Sequence, residues 1–540
     1  CRGRAAPATS RAARAARACA SWAMNYGTAF RRAALPVLSE AAKGRKLLFL
    51  VAGPRGDVQP LVALSSGCQK AGFDVLVVTQ SCHQGFFEDF GVSVVDCDAA
   101  GDLGMAAMIS VALPVGTDGP TDLTPETMRT MLEFTADFRA DLILTAQPCS
   151  AAAHAFARSL GVPVMELSLQ LLLPTATASS PLRESPGCFG CVHYWMWIRY
   201  RQQLFRQLES SQLPVLRSIM RKAPGGDRGV WSSFEAHLLD TLQPVAPGPV
   251  AISPHVAALP ADSPAEFQKS PPLGYVTVSR QQQLTKADDY FGCRSLLRAF
   301  VEGFQDDPPV YIGFGPCTAL GAPRLSELAA GAARHANVRA AVLCGAAGLG
   351  WSALSEAKEL QAYAEKRVVF VGSAPHEMLF PRCAAVVHHG GVGTTACALR
   401  AGAPQIVLPT TPEQQMQGAL VTRLGVGLDL GPLSASTPEA LGEALRRVMA
   451  DGEMAKRCKD LGERLQQEDG LKASIEHIDR FFKDQLATGS WAVQEKRRQR
   501  ELEALRSGKA GGCFYWLGRV VCGRSRTDFR PKLREPTGEA

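Results

Sequence analysis

Three segments of this 540-residue chain carry residue types and spacings that can do chemistry on a bound ligand. The first is Gly53-Pro54-Arg55-Gly56-Asp57, at the end of an apolar run. Its glycines let backbone approach a ligand closely, and Asp57 stands just before a helix that Pro60 helps to start. A carboxylate there has two roles open to it. It can take a proton from a ligand hydroxyl, or it can cap the helix, which would lower its pKa and weaken it as a base. Spacing does not choose between them. The second segment is His388-His389-Gly390-Gly391-Val392-Gly393-Thr394-Thr395, after the apolar run AAVV. Small residues opening a helix present unpaired N–H groups to an anion, and the helix dipole adds attraction. A phosphate loop assisted by a histidine is one reading; a turn around one buried histidine is the other. A zinc site fits poorly, because side chains one apart in a strand point to opposite faces. The third segment runs from Pro409 to Gly418 beyond a further apolar run, and it contains Glu413 and Gln414. A carboxylate beside an amide suits the vicinal hydroxyls of a sugar. The pair alone says little; its place after a strand is what gives it weight.

The elements that must hold these segments recur with a regular period. KLLFLVAG reads as a strand, PRGDVQP as a turn, LVALSSGCQKAG as a helix closed by Gly72, and DVLVVTQ as a second strand. This is a parallel α/β unit, with strands apolar on both faces. The cycle returns in DLILTA, a helix over 151–160 and VPVMELS. A loop rich in Pro, Ser and Gly over 174–191 leads to the aromatic helix YWMWIRYRQQLFRQLE, which either lines an apolar pocket or forms plain core. Residues 221–275 are loop-rich and mark a domain junction. Beyond them PPVYIGFG, VRAAVLCG, RVVFVG, AAVVHHGG and QIVLPT alternate with helices, giving a second α/β domain. Thr437, Pro438 and Glu439 carry the signature of a helix start. The tail over 493–509 reads as a solvated, charged helix. Two such domains place a cleft between the carboxyl ends of their sheets, where ligands of open parallel sheets bind.

Composition narrows the classes further. The formal charge is +7, from 58 Lys plus Arg against 51 Asp plus Glu. Residues 1–39 hold seven arginines and no acid, which equals the whole surplus. The rest of the chain is neutral overall, so the basic balance is no evidence for a nucleic-acid surface on it. A 46% hydrophobic, 20% charged chain of this length builds two or more cored domains and is not disordered throughout. The Ala- and Arg-rich opening has the composition of an organelle transit peptide; a low-complexity tail is the alternative. A plastid or mitochondrial location is thus set beside a cytoplasmic or peripheral-membrane one. Sixteen scattered cysteines do not make a disulfide scaffold. Cys188-Phe-Gly-Cys191, followed by His193, has no second pair at zinc-finger spacing. No apolar run reaches the 18–20 residues of a membrane span, which leaves peripheral contact open. The three-glycine dinucleotide fingerprint and the GxxxxGK[ST] phosphate loop are both missing from the sequence.

Taken together, VAGPRGDVQPLVALSSGCQKAGFDVLVVT, DLILTAQPCSAAAHAFARSLGVPV, the later Pro174-Thr175, PPVYIGFG and PHEMLFPRCAAVVHHGGVGTTACALRAGAPQIVLP through LGVG resemble the family 1 GT-B glycosyltransferases. The likeness is to sterol 3-beta-glucosyltransferases and to bacterial glycopeptide and macrolide glycosyltransferases, over residues 44–465. It implies two Rossmann-like parallel-sheet domains facing each other across a cleft. On this reading 1–43 is a leader, 44–255 binds a lipophilic acceptor, 256–300 is linker, 301–465 binds a nucleotide sugar and 466–540 is the tail. The donor implied is a UDP-sugar, with UDP-glucose expected, and no metal or prosthetic group. The reaction implied is a single inverting displacement at the anomeric carbon. Asp57 matches the family's base, in a loop whose glycines are Gly53 and Gly56. His388 and the N–H groups of Gly391, Gly393 and Thr394 match the diphosphate site. Gly315 lies in a second donor loop, His376 falls where the donor loop passes the nucleoside, and Glu413 with Gln414 match an Asp-Gln pair that reads sugar hydroxyls.

The chain also departs from its relatives. Pro316 stands where most have Ser, removing a hydroxyl and an N–H, and Pro54 replaces a Ser or Thr. Pro409-Thr-Thr-Pro-Glu413-Gln-Gln-Met-Gln-Gly418 lacks the aromatics of the sterol branch, and Glu replaces Asp. Losing one good hydrogen bond costs roughly 1–3 kcal/mol, about 5–100-fold in binding. The expectation is a hexosyltransferase acting on a sterol or other lipid. A homologue that binds nucleotide sugar or lipid with altered donor choice, or without turnover, is the alternative.

Overall fold

The structure is a computed structural model that describes residues 34–53, 55–97, 124–171, 190–223, 226–260, 263, 270–278, 297, 299–301, 306–315, 317–345, 347–354, 357–372 and 374–507. The leader up to residue 33, Pro54, the Pro174-Thr175 pair, Cys188, Pro316 and the chain from 508 onward lie outside the described residues.

Each apolar run becomes a short parallel strand. In the first domain these are β1 (Lys46–Val51), β2 (Asp74–Thr79), β3 (Val94–Asp96), β4 (Leu142–Thr145) and β5 (Val164–Glu166), in the spatial order β3-β2-β1-β4-β5. The second sheet comprises β6 (Val310–Gly313), β7 (Ala340–Leu343), β8 (Val368–Val371), β9 (Val386–His388), β10 (Gln405–Val407) and β11 (Gly427–Asp429), in the order β11-β10-β9-β6-β7-β8. Every pairing in both sheets is parallel. Leu47 to Val51 and Val310 to Ile312 are almost wholly hidden, as strands covered on both faces must be.

Helices α1 (Arg55–Ala71), α2 (Ser81–Glu88), α3 (Pro125–Phe138), α4 (Ser150–Leu160), α5 (Gly190–Ser210), α6 (Gln212–Met220) and α7 (Phe234–Leu242) belong to the first domain. The second carries α8 (Gly321–Ala336), α9 (Lys358–Arg367), the one-turn α10 (His376–Leu379), α11 (Val392–Ala401), α12 (Pro412–Arg423), α13 (Pro438–Ala450) and α14 (Gly452–Gln466). The start of α13 is as its sequence states: Thr437 accepts from the Ala440 N–H at 3.2 Å, and Pro438 occupies the first turn. Helix α1 begins earlier than expected, at Arg55, so Asp57 sits in its first turn and Pro60 inside it.

Both strand orders reverse once. In the first sheet the reversal lies between β1 and β4, in the second between β6 and β9. At such a reversal two loops diverge from neighbouring strands and leave a crevice at their carboxyl ends. Gly53 to Asp57 follows β1, Gly315 follows β6 and His388 to Gly391 closes β9. These candidates therefore fall at the two crevices, whereas His376 follows β8 and the Glu413–Gln414 pair follows β10.

The chain beyond 466 differs from the reading of a separate charged tail. Helices α15 (Gly470–Phe481) and α16 (Ser490–Arg506) return to the first domain. Leu471, Ile475, Ile478, Phe481 and Phe482 join Leu47, Phe49, Val62 and Phe73 in one core. The apolar face of α15 repeats at helical spacing, which makes it a packing element rather than a solvated one. Helix α16 is solvated on one face only. Arg498 is buried and donates to the Leu239 and Gln243 carbonyls at 2.5 and 2.6 Å, covering the end of α7. Among the described residues no helix is long and apolar enough to cross a membrane.

Candidate active site

The site is built where the two domains meet. Helices α1 and α11 each begin at a reversal point, and their first turns approach one another. A side chain at Gly393 would begin only 3.3 Å from the Gly56 carbonyl oxygen. That carbonyl has no intrahelical partner, because Pro60, four residues on, has no N–H to give it. Two helix N-termini, with their partial positive charge, thus converge across the cleft.

Asp57 is half-buried in this place. Burial alone pushes its carboxyl up from the ordinary 3.8 to about 6. A capping role would act in the opposite direction, holding the carboxyl below its ordinary value. The loop before it is held from behind: His83 Nε2 donates to the Gly53 carbonyl at 2.8 Å, and Gly53 lies against Pro148.

Across the cleft, α11 opens with Gly391 as its N-cap, which offers no side-chain hydrogen bond. The N–H groups of Val392, Gly393 and Thr394 precede the first intrahelical bond, which the Thr395 N–H gives to the Gly391 carbonyl at 2.9 Å. Free N–H groups at a helix start are the kind of donors that suit an anion.

The histidine pair is arranged differently from the expectation. His388 is wholly buried, and both ring nitrogens are engaged inside the protein. Nε2 donates to Gln405 Oε1 at 2.9 Å, and Nδ1 accepts from the Gly390 N–H at 3.1 Å. Burial holds its pKa down at about 3, so the ring is neutral. It braces the loop from within and has no nitrogen left for a phosphate. The neighbouring His389 lies between the two glycine loops. A side chain at Gly315 (φ +60°) would meet its ring at 2.3 Å, and one at Gly391 at 2.8 Å. His389 Nδ1 is buried, and the Gly313 backbone lies beside the ring as a hydrogen-bonding group that partly offsets the effect of burial. Burial lowers this ring to about 4, so it too is neutral. Sequence reasoning did not assign His389; the missed signal was Gln405, a polar residue opening an apolar strand, which requires a buried partner.

His376 is turned toward its own domain. Its Nε2 lies 3.0 Å from the Tyr311 hydroxyl, and its ring stacks on Phe380 at 4.5 Å and 16°. It forms a half-buried aromatic floor rather than a free arm. Glu413 and Gln414 open α12, capped by Thr411 with Pro412 at its first position. Gln414 Oε1 accepts from the Thr410 N–H at 2.8 Å and hydroxyl at 2.7 Å, which leaves its NH₂ as a donor. Gly390 (φ +91°) touches this helix start, where any side chain would meet the Gln414 carbonyl at 2.8 Å. The glycine-rich loop and the Glu413–Gln414 pair are thereby one packed unit. Glu413 Oε1 accepts from the Tyr200 hydroxyl of the first domain. Pro316, next to Gly315, lies outside the described residues, and so does its effect on the loop. Among the described residues no group of three or more His, Cys, Asp or Glu is placed to hold a metal ion.

Comparisons with known proteins bear on the fold. Residues 355–468 match the family model described as the C-terminal domain of erythromycin biosynthesis protein CIII-like proteins. A sterol 3-beta-glucosyltransferase of Arabidopsis thaliana is 26% identical over 84% of this chain and 70% of its own length. A second from Arabidopsis thaliana is 26% identical, over 81% and 65% respectively. One from Emericella nidulans is 27% identical over 81% of this chain, which spans only 30% of that longer protein. Among solved structures, the glycosyltransferase of kitacinnamycin has a TM-score of 0.53 at 17% identity, covering 81% of this chain and 99% of its own. Spinosyn forosaminyltransferase has a TM-score of 0.53 at 16% identity, covering 82% and 100%. At these identities the structures speak for the fold, and the fold is GT-B. Reversed parallel sheets, converging helix N-termini and these relatives together give the chain the GT-B fold and a likeness to the family 1 glycosyltransferases.

Proposed function

We propose that the protein transfers a hexose from a UDP-sugar, with UDP-glucose the expected donor, to a hydroxyl of a sterol or other lipophilic acceptor. The observation that carries this reading is Asp57, a carboxyl raised to about 6 by burial, set against the unpaired N–H groups that open α11. A base must be near its working pH and ionised to accept a proton. The acceptor oxygen attacks the anomeric carbon while its proton passes to Asp57. The bond from that carbon to the diphosphate oxygen breaks with inversion, and the electron pair leaves with the diphosphate. Charge growing on the leaving group is met by the N–H groups of Gly393 and Thr394 and by His389, which takes the place first given to His388. Glu413 and the Gln414 NH₂ read the sugar hydroxyls. No metal is assigned a part. The relatives' names and the reading of 44–255 as acceptor domain support a lipophilic acceptor.

The test is incubation with UDP-glucose, UDP-galactose and a panel of sterols and other lipids, followed by mass spectrometry. A glycosylated product, absent with Asp57→Asn, is expected. Tight donor binding with no product across the panel would favour a binding protein and overturn the reading.

A further inference from the structure

From the contact across the cleft we infer that Tyr200 is a positioning residue for donor recognition: it holds the Glu413 carboxylate so that only the closed pair of domains reads the sugar. This rests on the function proposed above and extends it to a residue of the opposite domain.

Tyr200 is a fixed point. It is 3% exposed and meets Trp197, itself 1% exposed, edge-on at 6.2 Å and 78°. Its hydroxyl donates to Glu413 Oε1, and burial with that carboxylate pushes the phenol well above its ordinary pKa. The phenol therefore remains a donor at any working pH. A hydrogen bond from a phenol to a carboxylate oxygen is among the stronger ones. A carboxylate offers about four lone-pair sites on two oxygens. With Oε1 held by Tyr200, Oε2 remains as an acceptor of fixed orientation.

Residue type supports this. Aspartate at 413 would be shorter by one C–C bond, about 1.5 Å, and would not reach Tyr200. The longer Glu spans the cleft. One turn further on, Gln417 Nε2 donates to Gln170 Oε1 of the first domain at 3.4 Å. Positions four apart share a helix face, so α12 presents one face to the acceptor domain at both points. Donor reading and domain closure then depend on the same side chain.

The experiment is calorimetry on the full chain with UDP-glucose and with UDP, and with TDP-glucose and TDP alongside. Wild type is compared with Tyr200→Phe, Glu413→Asp and the double variant, together with donor KM and kcat where product forms. Tyr200→Phe should weaken UDP-glucose about 5- to 20-fold while leaving UDP unchanged, raising donor KM more than it lowers kcat. Glu413→Asp should match it, and the double variant should be no worse than either. Unchanged UDP-glucose affinity in Tyr200→Phe, equal weakening of UDP and UDP-glucose, or fully additive losses would overturn the inference alone. Wild type binding none of the four nucleotides would overturn the proposed function, and this inference with it.

Discussion

Asp57 makes opposite demands on activity and stability. In the fold its carboxyl titrates near 6 against an ordinary 3.8. The folded state therefore favours the protonated form, and ionisation costs stability as pH rises from about 4 to about 6. Asp57→Asn should lower kcat by about 10²–10⁴, yet raise the Tm at pH 7.5 and not at pH 4. Wild-type kcat/KM should climb with pH and level off above about 6, which a pH–rate profile will show. The two histidines separate in a similar way. His388→Ala removes a buried ring bonded to Gln405 and Gly390, and it should cost about 1–3 kcal/mol in urea unfolding as well as UDP affinity. His389→Ala should weaken UDP binding with a smaller loss of stability. HHGGVGTT pointed to a phosphate loop from residue types alone. Which histidine serves it depends on where β9 ends, and the sequence does not mark that end. His388 is the last strand residue, opposite Gly313, and is drawn into the sheet; His389 is the first residue free of it.

At the scale of elements, the placement of loops at strand ends was readable because apolar runs and glycines mark where strands stop. The Gly-x-x-Gly-Asp loop and the Glu-Gln pair both stand where that logic puts them. The start of α1 was misjudged, since Pro60 was read as an opening residue while the helix runs through it from Arg55. The return of α15 to the first domain was also not readable, because an amphipathic helix states that it packs but not against what. Its seat is narrow: a Cβ at Gly470 would lie 2.4 Å from the Gly274 carbonyl and 2.6 Å from that of Tyr275. Backbone atoms cannot move aside as a side chain end can. Gly470→Ala should therefore destabilise the fold by about 1–3 kcal/mol, seen as a lower urea midpoint with unchanged slope.

The whole molecule is two switch-point crevices joined at their helix N-termini and strapped by a chain that crosses back. Arg498 fastens that strap, buried among the Leu239 and Gln243 carbonyls and Asp240. Arg498→Ala leaves those acceptors unmet and should cost about 1–3 kcal/mol, with a parallel fall in thermal midpoint. The body beyond residue 39 carries no net positive charge to gather an anionic donor, and the proposed site relies on local N–H groups. Donor binding should then depend only weakly on salt. The most direct test of the account pairs binding with turnover in one variant, measuring UDP affinity by calorimetry and product by mass spectrometry for wild type and Asp57→Asn. The account predicts equal UDP affinity in both proteins and product from wild type alone. Wild-type turnover in Asp57→Asn, or no UDP binding by either protein, would contradict it.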